Sequence, residues 1–561
     1  MPDDFQLIVE HCTELKNQYA TRNSDDDEFE KEYLMDWTED KPTEQDAKIT
    51  VSPDGHNAIL GVDRLLASTS PKFSVPVDKG DNAVAKKADQ MEKFANALWY
   101  INGRIRQSPL EGDMVHSAAL FAEFCAGVTS TKDLVEQAKG GSKAAQARVE
   151  RIAKMTPVII DIYDPRTCYP EFDGLGITAF YRQSKVKSGV LLDAWGKAAI
   201  AAGMAETDRF DDIEYCDYWD FVTHACWIEG NNNPIFIGEH GLPRIPIVDQ
   251  ITDGSMVHTK PEQQRHAFLY GLVKSSISKR QSLILTVEAT NALKHGINPQ
   301  MVAKLKDPTK DLLIDKSMAG TVKLEVGESL DPLQQQIIDP SIEKLSALFE
   351  RKGEESTIYK QAMGGNIASA NAAYSTIALL NQAGRLPLVN IQKRTAWGMG
   401  QLMEIAFALI KDGKADNKVQ GENTVMKLAA ADIIENVMFE VKLDVDLPMD
   451  ERQNAQTATT LIRDKIASKR YVREKIMNIE QSSEMEKEIY REMVEEAMLQ
   501  AKAQAEVQKI MQQNQPQQTT QPTQQPVEQG QAAQSGLPLA QPLDVQQIQG
   551  NEMPPEMPNG Q

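Results

Sequence analysis

Cysteine is scarce: five residues, at positions 12, 125, 168, 216 and 226 of 561, odd in number and without a CxxC pair. That usage excludes a disulfide framework and fits reduced thiols made in a cytosol. Long apolar runs are missing as well. "SLILTV" and "IAFALI" fall far short of the span a bilayer requires, so no membrane partner is expected. The start, "MPDDFQLIVEHC", places acids where a secretory signal needs basic residues and a long apolar core, and export by the usual route is not expected. Positive charge is in deficit, with 60 Lys and Arg against 81 Asp and Glu, a formal net charge of −21. A surface this acidic argues against a protein that grips nucleic acid or an anionic membrane, because tight phosphate binding needs concentrated basic side chains. HExxH and GxSxG are absent, leaving zinc-protease and serine-hydrolase chemistry without a motif.

What remains is an ordinary globular composition, 41% hydrophobic and 25% charged, in a chain longer than one core usually organises. The reading is an α+β, mainly helical protein. To about Trp37, an amphipathic helix (Leu7, Ile8, Cys12, Leu15) meets the acidic run "SDDDEFEKEY", read as a solvated face or arm. Ile59, Val62, Leu65 and Leu66 follow helical spacing, and helical patterns continue from Ala88 to Val128. Near Pro157 the character turns to β-branched and aromatic residues with Asp and Gly turns, as in "TPVIIDIYDPRTCYPEFDGLGITAFYRQSKV" and "IEYCDYWDFVTHACWIEG". From Glu262 to Gly296 one long helix is expected, roughly 50 Å at 1.5 Å per residue. Val322, Leu324 and Val326 alternate as in a half-buried strand, and Asp339 and Pro340 cap a second helix, with a break suspected at Gly353. The segment from Asp450 to Met511 has strong helix propensity. Beyond it the Gln- and Pro-rich tail has no aromatic residue, Lys or Arg, and is expected to be disordered.

Three stretches invite chemistry. In "KQAMGGNIASANAAYS", Gly364 and Gly365 precede Asn366, Ile367 and Ala368, and the nearest cation, Lys360, lies before them. A nucleotide loop needs its lysine and hydroxyl after the glycines, so a phosphate cradle is not supported. In "CDYWDFVTHAC", Cys216, His224 and Cys226 lie close together, but a fourth zinc ligand at a familiar spacing is lacking. Period-two alternation puts His224 and Cys226 on one strand face, and core packing is the favoured reading. Acid pairs such as Asp211 with Asp212 and Glu495 with Glu496 read as solvated faces rather than metal-dependent nuclease sites. No catalytic residue, metal or cofactor is expected, and the chain is not expected to be an enzyme.

The order of features is the stronger signal. "VSPDGHNAILGVDRLLASTSPKFSV", then "DPRTCYPEFDGLG" and "HGLPRIPIV", the long helix at Glu262, a small β insert, a second helix and the small-residue loop before another long helix follow one another between Ile49 and Met511. In that order they resemble the portal proteins of tailed bacteriophages. The resemblance implies a wing, stem, clip and crown, with copies assembled as a ring, usually a dodecamer, at one capsid vertex. Double-stranded DNA would pass through the centre during packaging and ejection. Partners implied are the terminase large subunit, a head-tail connector or adaptor, and the major capsid and scaffolding proteins, the protein being made in the host cytoplasm and residing in the virion. By that analogy 1–261 is the wing, 262–296 the first stem helix, 297–338 the clip and 339–362 the second stem helix. The tunnel loop is 363–372, with Gly364, Gly365, Asn366, Ile367 and Ser369 facing the DNA. Wing helices span 373–449, the crown 450–511 and the disordered tail 512–561. Lys274, Lys279 and Arg280 are the cations that could line the channel, the alternative being ordinary solvated residues on a helix. Helices about 10 Å thick around a duplex about 20 Å wide need axes on a circle of roughly 30 Å, which takes about nine or ten of them and leaves twelve modest clearance. The alternatives are a packaging ATPase or nuclease, and a shell or adaptor protein that conducts no DNA.

Overall fold

The computed structural model describes residues 2–36, 49–292, 301–307, 324–332, 340–356, 388–443 and 482–513, apart from short gaps at 69, 78–81, 206–208, 232, 422–424 and 436, with isolated positions between 455 and 472. The chain divides into two units, Met1–Glu451 and Arg452–Gln561.

The first unit begins with helices α1 (Pro2–Gln18), α2 (Ala20–Tyr33) and α3 (Asp54–Leu66), a short strand β1 (Lys72–Ser74), and helices α4 (Asn82–Arg106) and α5 (Leu110–Phe121). Strand β2 (Glu123–Ser130), helices α6 (Thr131–Ala138) and α7 (Lys143–Ala153), and strands β3 (Val158–Tyr163), β4 (Cys168–Phe172) and β5 (Ile177–Lys187) follow. Next come α8 (Ser188–Trp195), α9 (Lys197–Ala201), β6 (Asp212–Asp220), β7 (Thr223–Ile228), β8 (Phe236–Glu239) and β9 (Ile247–Ile251). Three short pieces, α10 (Pro261–Gln264), α11 (Tyr270–Lys274) and α12 (Ile277–Asn291), lead to β10 (Met301–Lys304), β11 (Ser329–Pro332) and α13 (Pro340–Ser356). Helix α14 (Val389–Lys411) and strands β12 (Lys418–Gln420), β13 (Val425–Lys427) and β14 (Glu440–Lys442) complete it. In the second unit the main described element is α15 (Ser482–Gln513).

Two antiparallel sheets organise the first unit, β3-β2-β9 and the meander β4-β5-β6-β7-β8. The main core lies where α3, α4, α5 and α14 meet β2. Ile59, Met91, Phe94, Leu98, Met114, Phe124, Leu402 and Phe407 fill it. A Cβ on Gly398 of α14 would lie 2.3 Å from Cζ of Phe124, so this helix rests directly on β2 because that position has no side chain. The meander has two faces with different cores, as the alternation of a strand dictates. Tyr169, Tyr181, Tyr218 and Trp227 pack against Phe5, Cys12, Leu15 and Tyr19 of the N-terminal segment. Tyr215, Cys226 and Ile228 turn the other way, toward Leu191, Leu192 and Ala199. β1 pairs with β14 through Phe73 and Val441, tying an early segment to a late one.

Several expectations need correction. The helical pattern to Val128 ends at Phe121: Ala122 takes φ 57°, and Glu123–Ser130 becomes a strand hydrogen-bonded on both sides. Cross-strand pairing here overrides a sequence poor in β-branched residues. The acidic run is not wholly solvated, since Asp26 and Phe29 on α2 are buried. Residues 324–326 are not strand. Val326 is 92% exposed beside a turn at Gly327 (φ +95°), and the strand follows at Ser329–Pro332, pairing with Met301–Lys304. Helix α13 starts at Pro340 as expected but continues through Gly353 to Ser356. No helix among the described residues is long and apolar enough to cross a membrane.

Candidate functional site

The helix expected as one piece from Glu262 is broken twice, and the causes are local. Arg265 adopts an extended backbone (φ −120°, ψ 145°) and bridges to Gly254, which carries its guanidinium inward. Nη2 lies 3.1 Å from Asp26 Oδ1, and Nη1 lies 2.9 Å from Glu123 Oε2 while also donating to the Phe121 carbonyl at 3.0 Å. Arg22, fully buried on α2, donates to Glu123 Oε1 at 3.2 Å and to the carbonyls of Pro165 and Cys168 at 2.7 and 2.6 Å. Two arginines and two carboxylates thus interlock below the surface. Burial pushes the Asp26 carboxyl up to about 7, although the Arg265 and Arg22 charges pull the other way. The second break is at Ser276, in the left-handed region at φ 54°.

After that break α12 lies on the segment at residues 50–52 through hydroxyls rather than apolar side chains. Ser278, Ser282 and Thr286 repeat every four residues and all three are buried. The amides of Ser52 and Thr50 donate to Ser282 Oγ at 2.9 Å and Thr286 Oγ1 at 3.0 Å, and the Thr286 hydroxyl returns a bond to the Thr50 carbonyl at 3.2 Å. Ser278 Oγ donates to Glu32, whose carboxyl is held above its ordinary range by burial, an effect this bond partly offsets. A hydrophobicity search passes over this ladder; the four-residue hydroxyl spacing was its visible signal.

The expected channel cations fall into different settings. Lys274 is on α11, bound to Asp25 (2.7 Å) and Glu28 (3.1 Å) of α2, so its charge is already matched by two carboxylates. Lys279 lines a cleft with Glu28, Glu32, Val51, Leu272 and Ser282. Arg280, at the start of α12, is exposed. α12 and α13 pack against each other, and the antiparallel pair β10 and β11 lies between them in sequence. Leu283 and Val287 on α12 are 43% and 38% exposed, and Leu345 and Leu348 on α13 are 43% and 47% exposed. Gly364, Gly365, Asn366, Ile367 and Ser369 lie outside the described residues.

A second cluster arises in the meander. The β6–β7 register sets Asp217 opposite Cys226 and Trp219 opposite His224, so all four share one face. Asp217 Oδ1 lies 3.0 Å from His224 Nε2 and 3.6 Å from Cys226 Sγ, and Sγ lies 3.2 Å from the same Nε2. Cys216 points to the opposite face, against Tyr181 Oη and Glu229 Oε2, each 3.3 Å away. The residue that joins His224 and Cys226 is therefore Asp217, which a search restricted to Cys and His passes over. A thiol–imidazole–carboxylate relay uses one ring nitrogen for the thiol and the other for the acid. Here a single nitrogen faces both, so the arrangement is not that of an activated nucleophile. Burial pushes the Cys226 thiol well above its ordinary value, which also opposes thiolate formation in the absence of a cation.

No family model matches the chain, and no curated protein matches it. Among solved structures, a chain from the "Neck of empty GTA particle computed with C6 symmetry" aligns over 75% of this chain and 88% of its own length, at 11% identity and TM-score 0.36. One from the "Neck of native GTA particle computed with C12 symmetry" aligns over 75% and 89%, at 10% identity and TM-score 0.34. A chain from the "Virion of native gene transfer agent (GTA) particle" aligns over 75% and 88%, at 11% identity and TM-score 0.37.

Proposed function

We propose that the chain is a portal protein of a tailed phage or phage-like particle, a ring of identical copies at one capsid vertex through which double-stranded DNA is packaged and later released. The observation that carries this reading is the pair α12 and α13, packed side by side and joined through residues that include the β10–β11 pair. A helix, a small β insert and a returning helix are the parts a stem and clip require. The apolar residues exposed on both helices are what a neighbouring copy would cover in a ring. The formal charge of −21 per chain suits a conduit, because a lining rich in fixed cations would hold the phosphates it has to let pass. The terminase, connector, capsid and scaffolding contacts, and a count of twelve, belong to the same proposal. No catalytic step is part of it.

Electron microscopy of the purified chain tests it directly. Closed rings with an axial opening wide enough for a duplex are expected. Closed rings without an opening would favour a non-conducting adaptor, and a persistent monomer that hydrolyses nucleotide would favour a packaging enzyme. Replacing Gly364 and Gly365 with proline is expected to impair packaging while rings still form, because proline removes the backbone freedom a tunnel loop needs. Normal packaging by that variant would remove the loop from the proposal.

A further inference from the structure

We propose that Asp217 Oδ1, His224 Nε2 and Cys226 Sγ form a binding site for one zinc-class divalent cation. The three atoms all lie within 4.8 Å of one another. A tetrahedral zinc ion with Zn–O and Zn–N near 2.0 Å and Zn–S near 2.3 Å has ligand-to-ligand edges of about 3.3 Å between nitrogen and oxygen, and about 3.5 Å to sulfur. The measured edges are 3.0, 3.2 and 3.6 Å, so three corners of that tetrahedron are set to within a few tenths of an ångström. The shared use of Nε2, which rules out a catalytic relay, is what coordination requires: each ligand presents one atom to the centre.

The surroundings favour the assignment. The Asp217 carboxylate oxygen sits against His224 Nε2 at 3.0 Å and Cys226 Sγ at 3.6 Å, so all three donor atoms are already directed at one another. Asp133 on α6 lies within electrostatic reach of His224 and adds a further carboxylate to the neighbourhood, while Lys414, also near Asp133, and Arg182 oppose it. Trp219 stacks on the His224 ring with centroids 3.7 Å apart and planes 15° apart, and Phe236 lies 5.3 Å away, which fixes the imidazole plane as an outer shell does around a metal ligand. The Asp217 and His224 side chains are 16% and 19% exposed and Cys226 is buried. A thiolate, an imidazole and a carboxylate select zinc or cobalt over magnesium or calcium, whose ligands are all oxygen. Binding releases the Cys226 thiol proton to solvent and leaves the imidazole proton on Nδ1. The ion would join β6 to β7 across their register.

The test uses the full chain, freed of metal by a chelator and titrated first with cobalt(II), then with zinc. One cobalt per chain is expected, with a thiolate-to-cobalt charge-transfer band, quenching of tryptophan fluorescence through Trp219, and displacement by one equivalent of zinc that raises the melting temperature. In Cys226→Ser the charge-transfer band should vanish. In His224→Gln, which leaves the buried thiol in place, stoichiometric binding should be lost while the far-ultraviolet circular dichroism stays that of the wild type. Absence of stoichiometric binding by the wild type, cobalt binding without a thiolate band, or a band that persists in Cys226→Ser would each overturn the proposal and leave the three groups as a hydrogen-bonded cluster.

Discussion

Replacing Arg265 with methionine, which keeps much of the side-chain length and removes the charge, isolates the contribution of the buried ionic cluster. Arg265 contacts both oxygens of Asp26, at 3.1 and 3.2 Å, and Glu123 Oε2 at 2.9 Å. Glu123 keeps Arg22 as a partner at 3.2 Å, whereas Asp26 loses its two-oxygen contact. Removing one partner of a buried pair leaves an uncompensated charge, which costs about 3–5 kcal/mol. Protonation can relieve part of that cost, so the loss depends on pH. Burial already pushes Asp26 up to about 7 when folded, far above an ordinary carboxyl, and without Arg265 its folded pKa moves higher still. Below pH 7 the carboxyl is protonated in both folded proteins, and the stability difference between them is flat. Between the wild-type value and the higher variant value only the variant retains the proton, and the difference grows by about 1.4 kcal/mol per pH unit. Urea titrations followed by tryptophan fluorescence, at about pH 6 and about pH 8.5, should therefore give a larger loss at the higher pH, by roughly 1–3 kcal/mol. A loss below about 1 kcal/mol, or one equal at both pH values, would refute the view that this arginine compensates a buried acid.

Asp249 on β9 lies opposite Cys125, and neither of its carboxylate oxygens has a hydrogen-bond partner among the described residues. Burial and the neighbouring Glu123 push its folded pKa well above the ordinary carboxylate range, so wild-type stability should fall as pH rises from that range through the folded value. Asp249→Asn should remove that slope and become the more stable protein toward the alkaline end; parallel pH profiles for the two would contradict this. In the proposed ring, Leu345→Asp combined with Leu348→Asp places charges on an exposed face of α13. Stability of the single chain should change by no more than about 0.5 kcal/mol per site, while rings are lost in analytical ultracentrifugation. Rings as abundant as in the wild type would detach this face from assembly.

What could be read from the sequence followed from periodicity. The β6–β7 hairpin was visible because "IEYCDYWD" and "THACWI" alternate on either side of a short turn, and α14 was visible as "VNIQKRTAWGMGQLMEIAFALIK" with its apolar stripe. The readings that failed are those where a distant partner decides. "EFCAGVTS" becomes a strand because β3 and β9 flank it, and no local feature of those eight residues records that. The helix from Glu262 breaks at Arg265 because Asp26 and Glu123, more than a hundred residues away in the chain, hold the guanidinium inside. The metal cluster was half legible: alternation placed His224 with Cys226, but the third member depended on strand register, which placed Asp217 rather than Cys216 opposite Cys226.

The breaks before α12 also bear on how it would work in a ring. A stem helix that entered straight from the wing as one rod would be positioned mainly by contacts along its length. Here the entry is fixed at three successive points by α2 and the segment at residues 50–52: Arg265 to Asp26, Lys274 to Asp25 and Glu28, and the hydroxyl ladder of Ser278, Ser282 and Thr286 to Glu32, Thr50 and Ser52. All three bind polar groups, and hydrogen bonds with defined partners fix rotation about a helix axis more tightly than an apolar face, which tolerates sliding. The orientation of α12 is therefore set within one chain, before any neighbour is met. In the proposed ring, copies that arrive with this helix already oriented would lose less freedom on joining, and their exposed leucines would meet the next copy in one register.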